Sequence, residues 1–538
     1  MLHLNYKGIQ NRTAWETAGI TLPDYDWSNM CAATKEAPTW VHFGAGNIFR
    51  GFIAGLEQSL LNQGLVETGI VAADTFDYEI IDKIYDPFDN MTLMVSLLKD
   101  GTLKKEVIAS IAKGYRAGAA YPEDLMALKE IFRNPSLQMV SFTITEKGYA
   151  LTNIKGEFFP FVEADFINGP AKCSHAMSLL TALLLERYNA GGKPLACVSM
   201  DNCSHNGEKL RTSVMTVVEK WLKNGLISQD FADWVLNEEN VSFPWSMIDK
   251  ITPRPARVVE NALTEAGIAN MAPIITSKNT FIAPFVNAEE PQYLVIEDRF
   301  PNGRPPLEKA GVYMTDRDTV NNTEKMKVTT CLNPLHTALA VYGCLLGYST
   351  IAEEMHDPQL KALVEEIGYT EGLPVVVDPK ILSPEAFLKE VLVKRLPNPF
   401  MPDTPQRIAT DTSQKVGIRY GETIKSYAAR PDLDPADLTC IPLAIAGWLR
   451  YLLAVDDEGN AFECSSDPML ATLQEQLSGV KYDDPASLGG SLKPILSNSL
   501  LFGLDLNAVG LGEKIEGMVK EMLTGPGAVR RTLKKHLG

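Results

Sequence analysis

Apolar runs and amphipathic stretches alternate along the first half of the chain. Runs of four to eight apolar residues between turn residues indicate buried strands, and apolar positions three and four apart indicate helices. The predicted strands are 39–43, 69–74, 91–98, 138–145, 194–201 and 293–297, and the predicted helices are 48–62, 122–133, 176–188 and 210–224. Strands that alternate with helices of about ten to fifteen residues predict a parallel, doubly wound sheet.

The pattern changes after about residue 316, where long helical stretches take over. These helices are predicted at 323–346, 358–367, 384–395, 443–453 and 513–523. We therefore predict two domains, an α/β domain over residues 1–317 and a mainly α-helical domain over residues 318–538. A chain of 538 residues is also too long for one hydrophobic core, which agrees with this division.

The composition is that of an ordinary globular protein, with 45% hydrophobic and 22% charged residues. No apolar run approaches 18 residues, so no transmembrane helix is expected. The first residues lack a basic segment followed by an apolar one, which argues against a signal peptide. A formal net charge of −17 disfavours nucleic acids and anionic membranes as partners.

The eight cysteines include no C-x-x-C pair and are interpreted as reduced thiols of a cytoplasmic protein. Two close pairs of cysteine and histidine occur, at 173/175 and 203/205, and neither has the spacing of a zinc site. No metal site is predicted.

Two glycines follow the first long strand directly and precede a helical pattern. In that position Gly44 permits a tight turn, and Gly46 lets backbone N–H groups approach phosphates at the N-terminus of a helix. The third glycine of G-x-G-x-x-G is absent, because Phe49 replaces it and Gly51 comes two residues later. Alone, this damaged dinucleotide fingerprint is a weak signal.

An acidic residue stands where a dinucleotide fold requires one, at the end of the second strand of the fingerprint. Asp74 there is predicted to accept hydrogen bonds from the adenosine ribose and to repel a 2′-phosphate, which favours NAD over NADP. Asp77 is a competitor for this role. The alternative interpretation is a structural role, with Asp74 as a loop aspartate that caps the next helix.

Chemistry-bearing side chains gather at the start of the second domain. Glu324 and Lys327 are three residues apart, as are Asn333 and His336, so each pair shares a helix face. A buried lysine with a pKa lowered to ~7–8 acts as a general acid or base, and an asparagine amide donates to a developing alkoxide. One histidine on a helix is also commonly a packing or capping residue.

Seven segments of the chain are similar to segments of the polyol-specific long-chain dehydrogenases, also called the mannitol dehydrogenase family, and they occur in the same order. The segments are 44–51, 143–149, 199–207, 243–253, 297–305, 324–336 and 407–415. The resemblance spans most of the chain, and their joint ordered occurrence is far more specific than any one of them.

The resemblance implies a metal-independent oxidoreductase with a Rossmann-like NAD-binding domain and a C-terminal domain like that of 6-phosphogluconate dehydrogenase. The substrate is expected in the cleft between the domains. NAD contacts are implied for Phe43, Gly44, Ala45, Gly46, Asn47, Ile48, Arg50, Gly51, Asp74, Thr145 and Glu146. The implied catalytic residues are Lys327 as acid/base, Glu324 as its proton relay, and Asn333 with Asn202 or Asn206 at the carbonyl. The implied substrate contacts are His336, Arg407, Lys415 and Asp249.

One departure from the family affects the catalytic lysine. Lys327 precedes Asn333 by six positions instead of the usual five, and in a regular helix this rotates the lysine by ~100°. Because Pro334 cannot donate to the carbonyl of Thr330, a π-bulge just before it is predicted to absorb the extra residue. Lys325 is the alternative base.

Two further departures are single substitutions. Lys250 stands where the family has an arginine, which keeps the charge and loses the bidentate fork. Thr412 stands where the family usually has a glycine.

The expected reaction is reduction of D-fructuronate to D-mannonate by NADH. The alternatives are reduction of tagaturonate, interconversion of a neutral polyol and ketose such as mannitol and fructose, and a non-catalytic sugar-acid-binding protein. The candidate partners for a substrate carboxylate are Arg254, Arg304, Arg407, Lys415 and Arg419, and no spacing rule selects among them. A monomer or homodimer is expected, with a small sugar acid or polyol as its ligand.

Overall fold

The structure, a computed structural model, describes residues 1–538. The chain divides into two compact units, residues 1–321 and 322–538. The boundary predicted from the sequence, at 317/318, falls at the beginning of the helix Arg317–Met326, which contains this division.

The first unit is built on a six-stranded sheet in which every neighbouring pair is parallel. In spatial order its strands are Ile111–Arg116, Ile70–Asp74, Trp40–Phe43, Met139–Phe142, Leu195–Ser199 and Val241–Ser242. Alternate residues of one strand enter different cores: Val41 and Phe43 lie in one hydrophobic cluster and Trp40 in another. Both faces are therefore covered, which explains why these strands are continuous apolar runs in the sequence.

The predicted strand at 91–98 lies outside this sheet, contrary to the expectation of one doubly wound sheet. Thr92–Leu97 pairs antiparallel with Leu103–Ile108 and parallel with Phe285–Glu289, in a second sheet that also includes Ile20–Thr21. The physical reason is the turn Asp100-Gly101, where Gly101 has a φ of +91° and closes a hairpin. A strand not predicted, Ile111–Arg116, occupies the edge of the parallel sheet instead.

A smaller sheet carries the predicted strand Tyr293–Glu297. That strand pairs antiparallel with Ser246–Asp249 and parallel with Tyr313–Thr315. A separate short hairpin joins Ile274–Ile275 to Phe281–Ile282.

The helices of the first unit include two π-helical segments, Phe49–Ile53 and Ile81–Tyr85. The α-helices are Tyr6–Ile9, Arg12–Thr17, Trp27–Glu36, Ala54–Asn62, Pro122–Arg133, Thr145–Tyr149, Pro160–Asn168, Ala176–Asn189, Asn206–Lys223, Gln229–Leu236 and Arg257–Glu265.

The second unit contains helices and no strand longer than an isolated bridge. Its α-helices are Asn333–Leu346, Ile351–Glu354, Pro358–Glu365, Pro384–Glu390, Pro405–Ala409, Glu422–Ala429, Cys440–Tyr451, Leu470–Gln476, Leu492–Leu496, Ser499–Phe502, Gly512–Met522 and Ala528–Leu537. Its π-helical segments are Lys327–Cys331, Glu366–Gly372, Val391–Arg395 and Gly417–Gly421. Almost all residues of the helices Asn333–Leu346 and Cys440–Tyr451 are buried, so these two form the centre of the unit.

None of the helices has the length and apolar character needed to cross a membrane. Nowhere do three or more histidine, cysteine, aspartate or glutamate side chains gather closely enough to hold a metal ion.

Candidate active site

The turn after the central strand has the geometry that a pyrophosphate needs. Gly44 has a φ of +107°, and a Cβ on it would lie 2.2 Å from the carbonyl oxygen of Thr143. No side chain fits there, so glycine is required by the turn itself. A Cβ on Gly46 would meet nothing within 4 Å, which leaves its backbone open to a ligand. The residues present therefore fit a dinucleotide phosphate.

A cavity of about 560 Å³ lies against this turn, within the first unit. Five predicted cofactor residues line it, namely Gly44, Ala45, Gly46, Asp74 and Thr145. Further lining residues were not predicted from the sequence, among them Phe76, Lys147, Phe161 and His175. Phe76 is 65% exposed, a property that the sequence does not reveal.

Asp74 holds the turn through its carboxylate. Its Oδ2 accepts from the backbone N–H of Ala45 at 3.0 Å, and its Oδ1 accepts from those of Phe76 and Asp77 at 2.8 and 2.7 Å. Burial raises the pKa of Asp74, and these three donors oppose that rise. The structure thus gives Asp74 a structural role, in which it bonds to loop backbone rather than capping a helix, at the wall of the cavity. Its contact with a ribose stays a prediction. Asp77 instead accepts from the hydroxyl of Thr276 at 2.5 Å.

Other predicted cofactor residues serve the fold in this structure. A Cβ on Gly51 would lie 2.8 Å from Val286 Cγ1 and 3.0 Å from Met94 Sδ, so this glycine lets the segment Phe49–Ile53 pack closely on the second sheet. The side chain of Phe43 stacks on Phe142 in the core, which leaves only its backbone for a ligand.

Arg50 is fully buried in the same π-helical segment. Its Nη2 donates to Asn47 Oδ1 at 2.9 Å and its Nη1 to Thr92 Oγ1 at 3.4 Å. Burial lowers its pKa to about 10, so it remains charged at neutral pH. The hydrogen bond between Arg50 and Asn47 therefore stabilises the turn. Ile48 is the helical residue just before this segment.

Asp201 joins two of the matched segments. Its carboxylate accepts from the backbone N–H groups of Ile144 and Thr145, both at 2.9 Å, and from the hydroxyl of Tyr149 at 2.6 Å. Thr145 has a φ of +64°, which these bonds maintain. The neighbouring Glu146 is exposed and pairs with Lys209.

The two candidate asparagines differ in burial. Asn206 is buried, and its Nδ2 donates at 3.0 Å to the carbonyls of Asp201 and Ser246 and to Ser246 Oγ. Its Oδ1 accepts from the N–H groups of Gly207 and Ser246. Asn202 lies exposed in the loop before the helix Asn206–Lys223. The amide of Asn206 is thus bonded within the protein, and the exposed Asn202 stays a candidate for contact with substrate.

Asp249 is buried at the end of the strand Ser246–Asp249. The substituted Lys250 beside it donates to the backbone carbonyls of Glu289 at 2.5 Å and Glu290 at 3.4 Å. Single carbonyl oxygens do not require the two parallel N–H groups of an arginine, so a lysine ammonium is sufficient as their donor.

The predicted π-bulge is present at the candidate catalytic lysine. The π-helical segment is Lys327–Cys331, and the N–H of Leu332 donates to the carbonyl of Lys327, five residues back, at 3.1 Å. Leu332 then leaves helical geometry, with φ −133° and ψ −60°, and a new helix begins at Asn333. Lys327 is 3% exposed, whereas Lys325 is exposed, which favours Lys327 as the base. Glu324, on the helix before the segment, is half-buried.

A neighbouring element satisfies carbonyls around this break. The hydroxyl of Thr423 donates to the carbonyl of Thr329 at 3.3 Å, and the hydroxyl of Tyr420 donates to that of Pro334 at 2.9 Å. Irregular helical backbone needs such partners when it is buried. The sequence analysis did not identify these two residues.

His336 lies in the first turn of the new helix, surrounded by cations. Burial, and after it the charges of Arg419, Arg407, Arg395 and Lys415 in this order, lower its pKa to about 3. Its Nε2 is 3.4 Å from Asp403 Oδ2. His336 is therefore neutral at physiological pH. Three of the four cations were candidates from the sequence, and Arg395 was not among them.

The substitution of Thr412 for the family's glycine causes no strain. The left-handed residue of this turn is Asp411, with a φ of +54°. Thr412 is buried in regular geometry, and its hydroxyl donates to the carbonyl of Ala409 at 2.7 Å. A β-branched residue is thus accommodated.

Comparison with known families agrees with this arrangement. The family model of the mannitol dehydrogenase Rossmann domain matches residues 38–309, and that of the mannitol dehydrogenase C-terminal domain matches residues 319–522. The chain belongs to the mannitol dehydrogenase family. The predicted family and fold class are therefore confirmed, and the protein is an oxidoreductase.

Relatives and solved structures cover nearly the whole chain. A D-mannonate oxidoreductase of Thermotoga maritima is 54% identical over 539 aligned residues, covering 100% of this chain and 99% of its own. A polyol:NADP oxidoreductase of Gluconobacter oxydans is 30% identical and covers 87% of this chain and 89% of its own.

Two solved structures have the same fold. A substrate-free D-sorbitol dehydrogenase has a TM-score of 0.78 at 26% identity, covering 97% of this chain and 98% of its own. The mannitol 2-dehydrogenase of Pseudomonas fluorescens, in a ternary complex with NAD and D-mannitol, has a TM-score of 0.68 at 24% identity and covers 99% of each chain.

Proposed function

We propose that this protein is an NAD-dependent oxidoreductase that interconverts a keto-hexuronate and an aldonate, with D-fructuronate and D-mannonate as the pair. The observation that carries the proposal is its 54% identity, over its full length, to a D-mannonate oxidoreductase. The relatives at about 30% identity act on polyols by their names, and they lie much further away in sequence.

NAD is the cofactor that the first unit accommodates. The open backbone at Gly46 receives the pyrophosphate, and the carboxylate of Asp74 at the cavity wall disfavours the extra 2′-phosphate of NADP. When bound, NADH supplies the hydride for ketone reduction, and NAD accepts it in the reverse direction.

The second unit supplies the acid/base chemistry. Lys327 donates a proton to the oxygen of the ketone during reduction and removes it from the alcohol during oxidation. The amides of Asn333 and Asn202 donate hydrogen bonds to the developing alkoxide, and Glu324 exchanges the proton with solvent. His336 is neutral, so it can donate or accept a hydrogen bond at a substrate hydroxyl. Arg407, Lys415 and Asp249 hold the remaining polar groups of the sugar.

A substrate panel tests the proposal. NADH oxidation is measured with D-fructuronate, tagaturonate and D-fructose at matched concentrations, and NADPH is tested in place of NADH. We expect D-fructuronate to have the highest kcat/KM, with NADH preferred. A preference for D-fructose would identify a polyol dehydrogenase instead. No turnover of any ketone, with NADH still bound, would indicate a binding protein and refute the proposal.

Two further expectations belong with this proposal. All eight cysteines are unbridged in the structure, which supports the predicted cytoplasmic location. A monomer or homodimer stays a prediction, and light scattering at enzyme concentrations used for the assay tests it.

A further inference from the structure

The structure separates the five candidate carboxylate partners. Arg304 is engaged by Asp298 and Glu308 in ion pairs at 2.8 and 2.7 Å, which fix its charge within the first unit. Arg254 is an exposed residue of that unit. The other three candidates all lie close to His336 in the second unit, together with Arg395. We call these four residues, 395, 407, 415 and 419, the cation cluster.

The members of the cation cluster differ in the acidic groups that face them. Arg407 forms an ion pair with Asp403. Lys415 donates to the carbonyl of Thr410 and is faced by Asp411 and Asp467, which oppose the lowering of its pKa by burial. Both cations therefore have carboxylates of the protein itself to balance their charge.

Arg419 has no such balance. Its one hydrogen bond to the protein runs from Nη1 to the hydroxyl of Thr337, a neutral group, and no carboxylate lies within ion-pair distance. Burial lowers its pKa to about 10, so it stays charged at neutral pH. A largely buried guanidinium without a counter-ion is unfavourable, and an anion from outside would relieve the cost.

Arg419 is also tied to the candidate catalytic segment. The hydroxyl of Thr337 that receives its bond donates in turn to the carbonyl of Asn333 at 3.0 Å, and the next residue, Tyr420, donates to the carbonyl of Pro334. The guanidinium is thus held at a fixed position relative to the first turn of the helix Asn333–Leu346, where His336 lies.

We propose that Arg419 is the specificity-determining residue for the sugar acid and binds its carboxylate, which supplies the counter-ion that Arg419 lacks. This inference rests on the proposed function, since it assumes that the substrate is an acid. In D-fructuronate three carbons lie between the ketone carbon and the carboxylate carbon, so the carboxylate's binding energy acts on ground state and transition state alike. Loss of the interaction between Arg419 and the carboxylate is therefore expected to raise KM rather than lower kcat.

The test compares the wild type with Arg419→Gln and Arg419→Lys. In Arg419→Gln we expect KM for D-fructuronate to rise about 10- to 100-fold, as for loss of a charged hydrogen bond, with kcat within about threefold. Arg419→Lys keeps the charge without the fork, and an intermediate KM is expected. With D-fructose, or with D-mannitol in the reverse direction, the three proteins should differ by less than about threefold.

The matched control is Arg531→Gln, which removes an exposed arginine of the same unit and should leave KM unchanged. Thermal midpoints and NADH affinity are measured for every variant. A folded Arg419→Gln with wild-type KM for D-fructuronate would overturn the inference, as would an equal loss with acid and neutral substrates. If Arg419→Gln does not fold, an Arg419→Lys variant with unchanged KM contradicts it.

Failure of the proposed function and failure of the role of Arg419 give different results. A wild type that turns over no keto-hexuronate refutes the proposed function. A wild type that does so, with an Arg419→Gln variant that does so equally well, refutes only the role of Arg419.

Discussion

The glycine turn of the first unit and the cation cluster of the second are built on opposite principles. Around the turn, two carboxylates have their partners within the protein: Asp74 accepts three backbone N–H groups, and Asp201 accepts two more and a tyrosine hydroxyl. In the cation cluster, charge is left over, because Arg419 has no carboxylate partner and His336 is kept neutral among cations.

The difference separates binding by shape from binding by charge. A dinucleotide phosphate is received by backbone whose form is fixed in advance, so the turn is complete without its ligand. A sugar acid contributes a charge of its own, so its site is left electrostatically incomplete until the acid binds. Variants that disturb shape and variants that disturb charge should therefore fail in different ways.

The largest expected effect is that of removing the lysine amine. Lys327→Ala should reduce kcat by about 10²- to 10⁴-fold, as loss of a general acid does, while NADH affinity stays near wild type. Fluorescence titration of NADH and steady-state kinetics measure both. Lys325→Ala is the control, since that exposed neighbour should keep full activity. Activity retained by Lys327→Ala and lost by Lys325→Ala would reverse the assignment.

Substitutions of Asn202 and Asn206 are expected to separate a catalytic role from a structural role within the first unit. Asn202→Ala should lower kcat by about 10²- to 10³-fold through loss of a donor to the alkoxide, with an unchanged thermal midpoint. Asn206→Ala leaves buried partners without hydrogen bonds and should lower the unfolding free energy by about 1–3 kcal/mol. An Asn202→Ala variant with wild-type kcat, beside a stable but inactive Asn206→Ala, would interchange the two roles.

Substitutions of Gly44 and Gly46 test the fixed backbone shape of the turn. Gly44→Ala forces a side chain into positive φ and against the Thr143 carbonyl, so we expect about 1–3 kcal/mol of destabilisation and no measurable NADH binding. Gly46→Ala has room for its methyl group and should fold normally, with NADH affinity about tenfold weaker, or 1.4 kcal/mol. Calorimetry and titration measure these quantities. Equal stability of the two variants would argue against a fixed turn.

The smallest effect concerns the histidine among the cations. Its pKa in the folded protein is about 3, below its ordinary 6.5, so the unfolded chain binds a proton below pH 6.5 and the folded chain does not. The stabilisation from neutral His336 is thus complete above pH 6.5 and is lost as pH falls towards 3, by about 2 kcal/mol at pH 5. His336→Gln should unfold with a smaller difference in midpoint between pH 7.5 and 5. A variant with the wild-type difference would show that His336 titrates normally.

Features that depend on residues close together in the sequence were predicted correctly. The parallel sheet, the glycine turn and the bulge before Pro334 all follow from neighbouring residues, because backbone conformation depends on local sterics and on the missing N–H of proline. The prediction failed at the strand Thr92–Leu97, where the turn Asp100-Gly101 was overlooked and an antiparallel partner went unrecognised.

The charge balance of the cation cluster could not be read from the sequence. Arg395, Arg407, Lys415 and Arg419 come from different elements, and their number alone does not say which of them a carboxylate of the protein already neutralises. The separation of Asn202 from Asn206 is a similar case. It depends on Ser246, forty residues away in the chain, which occupies the amide of Asn206.

The π-helical segment at Lys327–Cys331 has a consequence for finding related genes. The extra residue between lysine and asparagine is absorbed as local underwinding of the helix. The interval between the two side chains therefore changes in length without rotating either end of the helix. A search pattern that fixes this interval at five rejects the present chain, whereas one that permits a single gap before the proline retains it. Relatives with either interval can then be compared position by position on both sides of the gap.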